Sequence, residues 1–151
     1  MRGSKLIINV MYRIVIYCER ITQVIQKVEN DYNKFIEKDN RMLRDVSAFY
    51  ILQIGELVNK LPLEFKKEHS DIPWRKIVDI RNRMAHGYDR VKPETLWSIM
   101  MEKIAAVNME CRRILFELDP TAEADLREEL GETFDAELNL GGDNDADDRR
   151  D

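Results

Sequence analysis

Apolar residues recur at steps of three and four over three long stretches of this chain, and that spacing confines it to packed helices. Ile7, Met11, Ile14, Cys18, Ile21, Ile25 and Val28 form one unbroken line, about seven turns of helix. Val10, Val15, Ile16 and Val24 widen it, so the first helix is expected to bury more than one face. The link from Glu29 to Asn40 is polar, anchored by Tyr32, Phe35 and Ile36. A second helix is expected from near Asn40 to Leu61, stopped by Pro62, with Leu43, Val46, Tyr50, Ile54, Leu57 and Leu61 as its line. Gly55 in its middle costs about 1 kcal/mol against alanine, and a close helix crossing would account for it. Asp71 then caps a shorter helix with Pro73 in its first turn. Trp74, Ile77, Ile80 and Met84 point inward, and Gly87 closes the end in the left-handed conformation. The last long helix begins at Pro93-Glu94, carries Trp97, Met100, Ile104, Val107, Cys111, Ile114 and Leu118, and ends at Pro120. Three long helices and one short one make an all-α, up-and-down bundle.

Composition excludes several classes. The chain has 151 residues, enough for one domain with a real core. Its longest apolar run, Leu6 to Cys18, contains Asn9 and Arg13, is too short to span a bilayer and lacks a signal-peptide cleavage site. A cytoplasmic protein with no membrane partner is expected. Cys18 and Cys111 fall on apolar stripes and read as free buried thiols; they could pair only if those stripes face each other. Two isolated cysteines and two distant histidines make no metal site, and no cofactor is called for. The formal net charge is −5, but it is unevenly spread. Residues 117–151 carry 14 Asp+Glu against 3 Lys+Arg, whereas residues 1–116 carry 21 Lys+Arg against 15 Asp+Glu. The body is therefore basic, as a nucleic-acid binder needs, and an acidic tail hides this in the total. The expected division is a helical bundle over 1–118 and an acidic, largely disordered tail over 119–151, with a further helical turn or two within 121–131.

The segment Arg81-Asn82-Arg83-Met84-Ala85-His86-Gly87-Tyr88 carries the chemistry. Histidine can give or take a proton near neutral pH. Arginine is a permanent cation whose planar fork fits phosphate. Together they are a minimal kit for breaking a phosphodiester without a metal. Asn82 and His86 are four residues apart, so an Asn82 oxygen could hold one imidazole nitrogen. Arg81 and His86 are five apart, about 140° around an ideal helix, and do not converge on one phosphate. Either the helix bends near His86, or two copies of the site meet across a two-fold axis. Arg83, Arg90 and Lys92 are candidates for a phosphate track. Glu56 either supports the site by reaching Arg81 or is simply exposed. His69 reads as solvated, and Trp74 and Trp97 as core. The bland alternative is a helix-ending histidine on terminal carbonyls beside a solvated basic face.

The spacing Arg-x4-His-x-Tyr resembles the signature of HepT-like ribonuclease toxins of the HEPN superfamily. Ile51-Leu52-Gln53-Ile54-Gly55-Glu56 resembles the family's Ile-Gly-Glu element, and Ile72-Pro73-Trp74-Arg75-Lys76-Ile77 its Pro-Trp element. Val91 to Trp97 is similar to the start of the helix that follows. The four elements stand in the family's order, and the likeness covers about residues 7–116. It implies a HEPN-like bundle and a metal-independent endoribonuclease acting as a homodimer by attack of the RNA 2′-hydroxyl, with tRNA and mRNA both open as substrates. By position, Arg81 and His86 would be catalytic, with Asn82 in support. Tyr88 matches a tyrosine modified with AMP by a cognate MntA-like nucleotidyltransferase antitoxin, as in a type VII-like toxin–antitoxin system. The alternative is a non-catalytic helical binding subunit for a minimal nucleotidyltransferase; the intact Arg81/His86 pair favours the enzyme. The acidic tail has no counterpart in the family pattern.

Overall fold

The N-terminal seam folds as one helix, α1 (Arg2–Lys27), in the computed structural model, which describes residues 2–131 and the side chains of residues 5–131. Met11, Ile14, Val15 and Cys18 are wholly buried on it, and Val10, Ile16 and Val24 nearly so. Two faces of α1 are thus covered, as the widened stripe requires. A tight turn follows, with Glu29 and Asn30 in the left-handed region at φ 57° and 54°. Asp31 then accepts a hydrogen bond from the Asn33 N–H at 2.8 Å and starts the short α2 (Tyr32–Phe35), which buries Phe35 completely.

Helix α3 (Arg41–Lys60) runs back along α1. Its core line differs from the expected one in the first half. Ser47, Ala48 and Ile51 are buried, whereas Leu43, Val46 and Tyr50 are only half-buried. The reason is size: small residues at 47 and 48 let α3 approach its neighbours closely, which turns the bulkier side chains toward the rim. After α4 (Leu63–Glu68), α5 (Trp74–Gly87) packs against α3. Pro73, not Asp71, stands at its N-cap, so the expected Asp71 cap does not form. Gly87 has φ 170°, which is extended rather than left-handed, and a single turn of 3-10 helix, Tyr88–Arg90, continues the chain.

The last long seam is one helical rod with a wider segment inside it. It runs from α6 (Pro93–Ser98) through a π-helical stretch, Ile99–Ile104, into α7 (Ala105–Leu118). The π-helix lets Ile99 and Ile104, five apart, both face the core. Trp97 packs its ring on Phe35, with centroids 4.8 Å apart. A buried polar cluster ties α1 to α7: Glu19 Oε1 accepts from Asn108 Nδ2 and from Arg112 Nη1, each at 2.9 Å. No seam signalled it, because all three residues lie beside the apolar positions rather than on them. Cys18 and Cys111 are free and buried, and burial pushes both thiols up, Cys111 to about 12.

The further helical turns expected within 121–131 are present. Ala122–Leu130 form α8, with Ala122 and Leu126 fully buried. Tyr12 donates to Glu129 at 2.7 Å and Gln23 to the Leu130 carbonyl at 3.3 Å, so α8 is fastened to α1. The rest of the expected tail, residues 132–151, lies outside the described residues. The described residues are helical without a strand, an all-α up-and-down bundle, and no helix among them is long and apolar enough to cross a membrane.

Candidate active site

The motif lies on α5, and α5 is regular through it. Taking Arg81 as the origin, the ideal helix puts Met84 and Ile77 toward the core and His86 about 140° from Arg81. The burial pattern agrees: Met84 and Ile77 are buried, Arg81 is half-buried, and Asn82, Arg83, Ala85 and His86 are exposed. Arg75, Asp79, Asn82 and His86 follow one another at steps of four, three and four, so they form a single outward stripe, and all four are exposed.

Arg81 instead leans onto α3. A Cβ placed on Gly55 would come within 2.2 Å of the Arg81 Cβ and 2.5 Å of its Cγ. The mid-helix glycine is therefore the groove that the arginine stem crosses. From there the guanidinium forms an ion pair with Glu56 and donates from Nη1 to Asn82 Oδ1 at 3.0 Å. Its Nε is buried with no acceptor among the described residues. Glu56 and Asn82 thus orient the guanidinium, whose outer edge stays accessible. Asn82 does not hold His86, contrary to expectation, because its oxygen already serves Arg81. Gly55→Ala should make α5 shift or Arg81 leave its groove. A loss of about 1–3 kcal/mol is expected in urea unfolding, the range for an overpacked site.

Tyr88 points the same way as Arg81. Its hydroxyl donates to Asp45 Oδ1 at 2.6 Å. Partial burial and the Asp45 carboxylate push its pKa up to about 12, so it is a neutral hydroxyl at any physiological pH. Arg41, Arg44 and Asp45 of α3 and Pro93 frame a shallow recess around it. Arg44 is occupied there, donating to the carbonyls of Phe35 and Glu37. Arg83, Arg90 and Lys92 are exposed. Gly87 leaves room for the Arg90 stem, whose Cδ would lie 3.3 Å from a Cβ there. His69, read as solvated, is half-buried with its ring against Phe65 at 4.7 Å. Trp74 is core, its indole N–H donating to the carbonyls of Lys66 and His69.

A second feature borders the motif. Met42, Asp45, Phe49, Leu52 and Glu56 repeat at steps of three and four along α3 and form one stripe. Its two acids are the partners of Tyr88 and Arg81. Two of its apolar members face solvent, Met42 at 81% exposed and Phe49 at 48%, while Leu52 is half-buried. The stronger line on α3, from Leu43 to Leu61, masks this stripe in the sequence. No group of three or more His, Cys, Asp or Glu able to hold a metal occurs among the described residues.

The sequence is similar to a ribonuclease family. A family profile described as Ribonuclease HepT-like matches residues 14–114. A candidate RNase of Caldanaerobacter subterraneus subsp. tengcongensis is 34% identical over 62 residues, 41% of this chain and 55% of that protein. A gamma-glutamylcyclotransferase and candidate RNase of Methanocaldococcus jannaschii is 28% identical over 110 residues, 70% of this chain and 49% of that protein. A probable ribonuclease HepT of Thermococcus cleftensis is 27% identical over 95 residues, 60% of this chain and 86% of that protein. The chain thus spans about half the length of the first two of these relatives. No solved structure matches it significantly.

Proposed function

The chain belongs to the HepT-like ribonuclease family, and on that premise we propose that it is a metal-independent endoribonuclease, active as a homodimer and acting as the toxin of a type VII-like toxin–antitoxin pair. The observation that carries the reading is the held arginine. Arg81 is braced by Glu56, Asn82 and the bare face of Gly55, on the same helix as an exposed, uncommitted His86. Such bracing fits a cation that must meet phosphate at a fixed place.

In this mechanism an RNA 2′-oxygen attacks the adjacent phosphorus and the bond to the 5′-oxygen breaks, leaving a 2′,3′-cyclic phosphate and a 5′-hydroxyl. One His86 takes the 2′-hydroxyl proton, and the His86 of a second copy protonates the leaving oxygen. Arg81 stabilises charge on the non-bridging oxygens. Arg81 and His86, about 140° apart on α5, converge poorly on one phosphate from one copy, which favours a site shared by two. The stripe beside the motif, with Met42 and Phe49 exposed and Leu52 half-buried, suits a second copy. Arg83, Arg90 and Lys92 would extend the phosphate track on either side.

The test uses the mechanism's own requirement. A substrate with 2′-deoxyribose at the cleavage position should resist cutting, and a chelator should change nothing. Cleavage of the deoxy substrate, or of DNA, would remove this mechanism.

The same reading assigns Tyr88 to control. Its oxygen attacks the α-phosphorus of ATP bound to an MntA-like nucleotidyltransferase, pyrophosphate leaves, and the hydroxyl proton passes to Asp45, which already accepts it. The attached AMP puts a negative phosphate beside the motif and repels RNA. Co-expression with the transferase should add one or more AMP masses to the Tyr88 peptide and silence the protein. Equal silencing of Tyr88→Phe would point to inhibition by complex formation instead.

A further inference from the structure

A cavity lies outside the motif, between the end of α3, the short α4 and the start of α5. Its volume is about 570 Å³, within the range of small-ligand pockets. The floor is apolar: Val58 and Trp74 are buried, and Val78 is half-buried. The rim is cationic: Lys66, Lys67 and Arg75 line it, and among the described residues no carboxylate does. Leu63 stands at its edge 64% exposed, an apolar side chain left in water.

Position connects this cavity to the motif. Val58 follows Gly55 by three residues on α3, and Val78 precedes Arg81 by three on α5, so cavity and guanidinium are neighbours along the same interhelical groove. The offset is about 4.5 Å along either axis. Arg75 also belongs to the outward stripe that ends in Asn82 and His86. A chain whose phosphate sits at Arg81 would pass the cavity with its next residues.

We propose that this cavity is a nucleotide subsite for RNA flanking the scissile phosphate. A base enters against Val58, Val78 and the Trp74 wall, and Lys67 and Arg75 hold the adjoining phosphates. The assignment rests on the ribonuclease reading above. Charge decides the occupant: an apolar floor beneath an all-cation rim complements a flat base joined to phosphates, and an apolar peptide would leave three cations unmatched. Recognition by apolar contact and charge predicts tolerance of base identity.

Binding is measured in the full-length His86→Ala protein, which holds RNA without cutting it, with single-stranded oligoribonucleotides from a dinucleotide to an octanucleotide. Affinity should rise with length in this parent. In His86→Ala/Lys67→Glu/Arg75→Glu that rise should fall by about tenfold or more, and the salt slope should flatten by about 1.4 for two lost phosphate contacts. Asn59→Trp, which fills the cavity mouth without changing charge, should also reduce the rise. Arg113→Glu/Arg127→Glu, an equal charge change on α7 and α8, should not. Equal losses in both double reversals would reduce the effect to net charge and overturn the subsite. So would a length dependence untouched by Lys67→Glu/Arg75→Glu. Saturation of the cavity by AMP alone, as tightly as by the octanucleotide, would assign it to a free nucleotide instead. Cutting by the His86-intact protein is scored separately: with cutting present and the length dependence unmoved, only the subsite fails, whereas no cutting and no RNA binding would remove both readings.

Discussion

His86→Ala is expected to fold and associate like its parent while RNA cleavage falls by about 10²–10⁴-fold, the usual worth of a positioned general acid or base. His86 is well suited to this experiment because it is exposed on the outward stripe of α5. Surface substitutions of that kind shift stability by about 0.5 kcal/mol or less. Arg81→Ala should also silence the protein, but it is a less clean probe. It strips Glu56 of its ion-pair partner and empties the groove over Gly55, so fold and chemistry change together. The check is initial rates on a defined RNA, beside thermal melts and light scattering of both variants. A folded His86→Ala protein that cuts at the parental rate would take the histidine out of the reaction, and with it the enzyme reading of the motif.

The bundle was legible because its driving force is periodic. Burial of a line such as Met11, Ile14 and Cys18 leaves a mark at every third or fourth residue, and α1 follows it closely. Features set by contacts between distant residues left no such mark. The π-helical stretch in the last rod depends on Ile99 and Ile104 both reaching a core built by other helices. The Glu19–Asn108–Arg112 cluster joins residues about ninety positions apart. Gly55 falls between these cases. Its cost in a helix predicts a crossing, but only the structure identifies the side chain that crosses. Caps and turns were read least well. Asp71 and Gly87 have the right chemistry for helix ends, yet Pro73 starts α5 one residue before its first turn and Tyr88 carries the chain on into a 3-10 turn. α8 is legible as a further helical turn or two within 121–131, but its packing on α1 is not. Two buried residues in nine, Ala122 and Leu126, make too short a stripe to stand out in an acidic segment. The motif is visible as a spacing, while its bracing is only partly so: Glu56 reads equally as support for Arg81 or as an exposed acid, and Asp45 gives no signal.

The proposed dimer would rest on the Met42–Phe49–Leu52 stripe of α3, and Phe49 is its sharpest test. Two-fold pairing of α3 stripes would bury Met42, Phe49 and Leu52 and bring two copies of α5 together at the same cleft. Phe49 is the central aromatic of that stripe and about half exposed in one chain. Removing such an anchor from an interface commonly costs about 2 kcal/mol or more. That is about thirtyfold in a dissociation constant, before the added cost of desolvating a carboxylate. Phe49→Glu is therefore expected to be a folded monomer at micromolar concentration and to lose cleavage, although each chain keeps its own Arg81 and His86. Leu118→Glu makes the same exchange at another exposed apolar position, 43% exposed at the end of α7, and should leave both assembly and activity intact. Light scattering and RNA cleavage on the two variants decide the matter. A Phe49→Glu protein that remains dimeric would place the interface elsewhere. A Phe49→Glu monomer that still cuts RNA would mean that one chain can close the angle between Arg81 and His86, and that the second copy supplies nothing to the reaction.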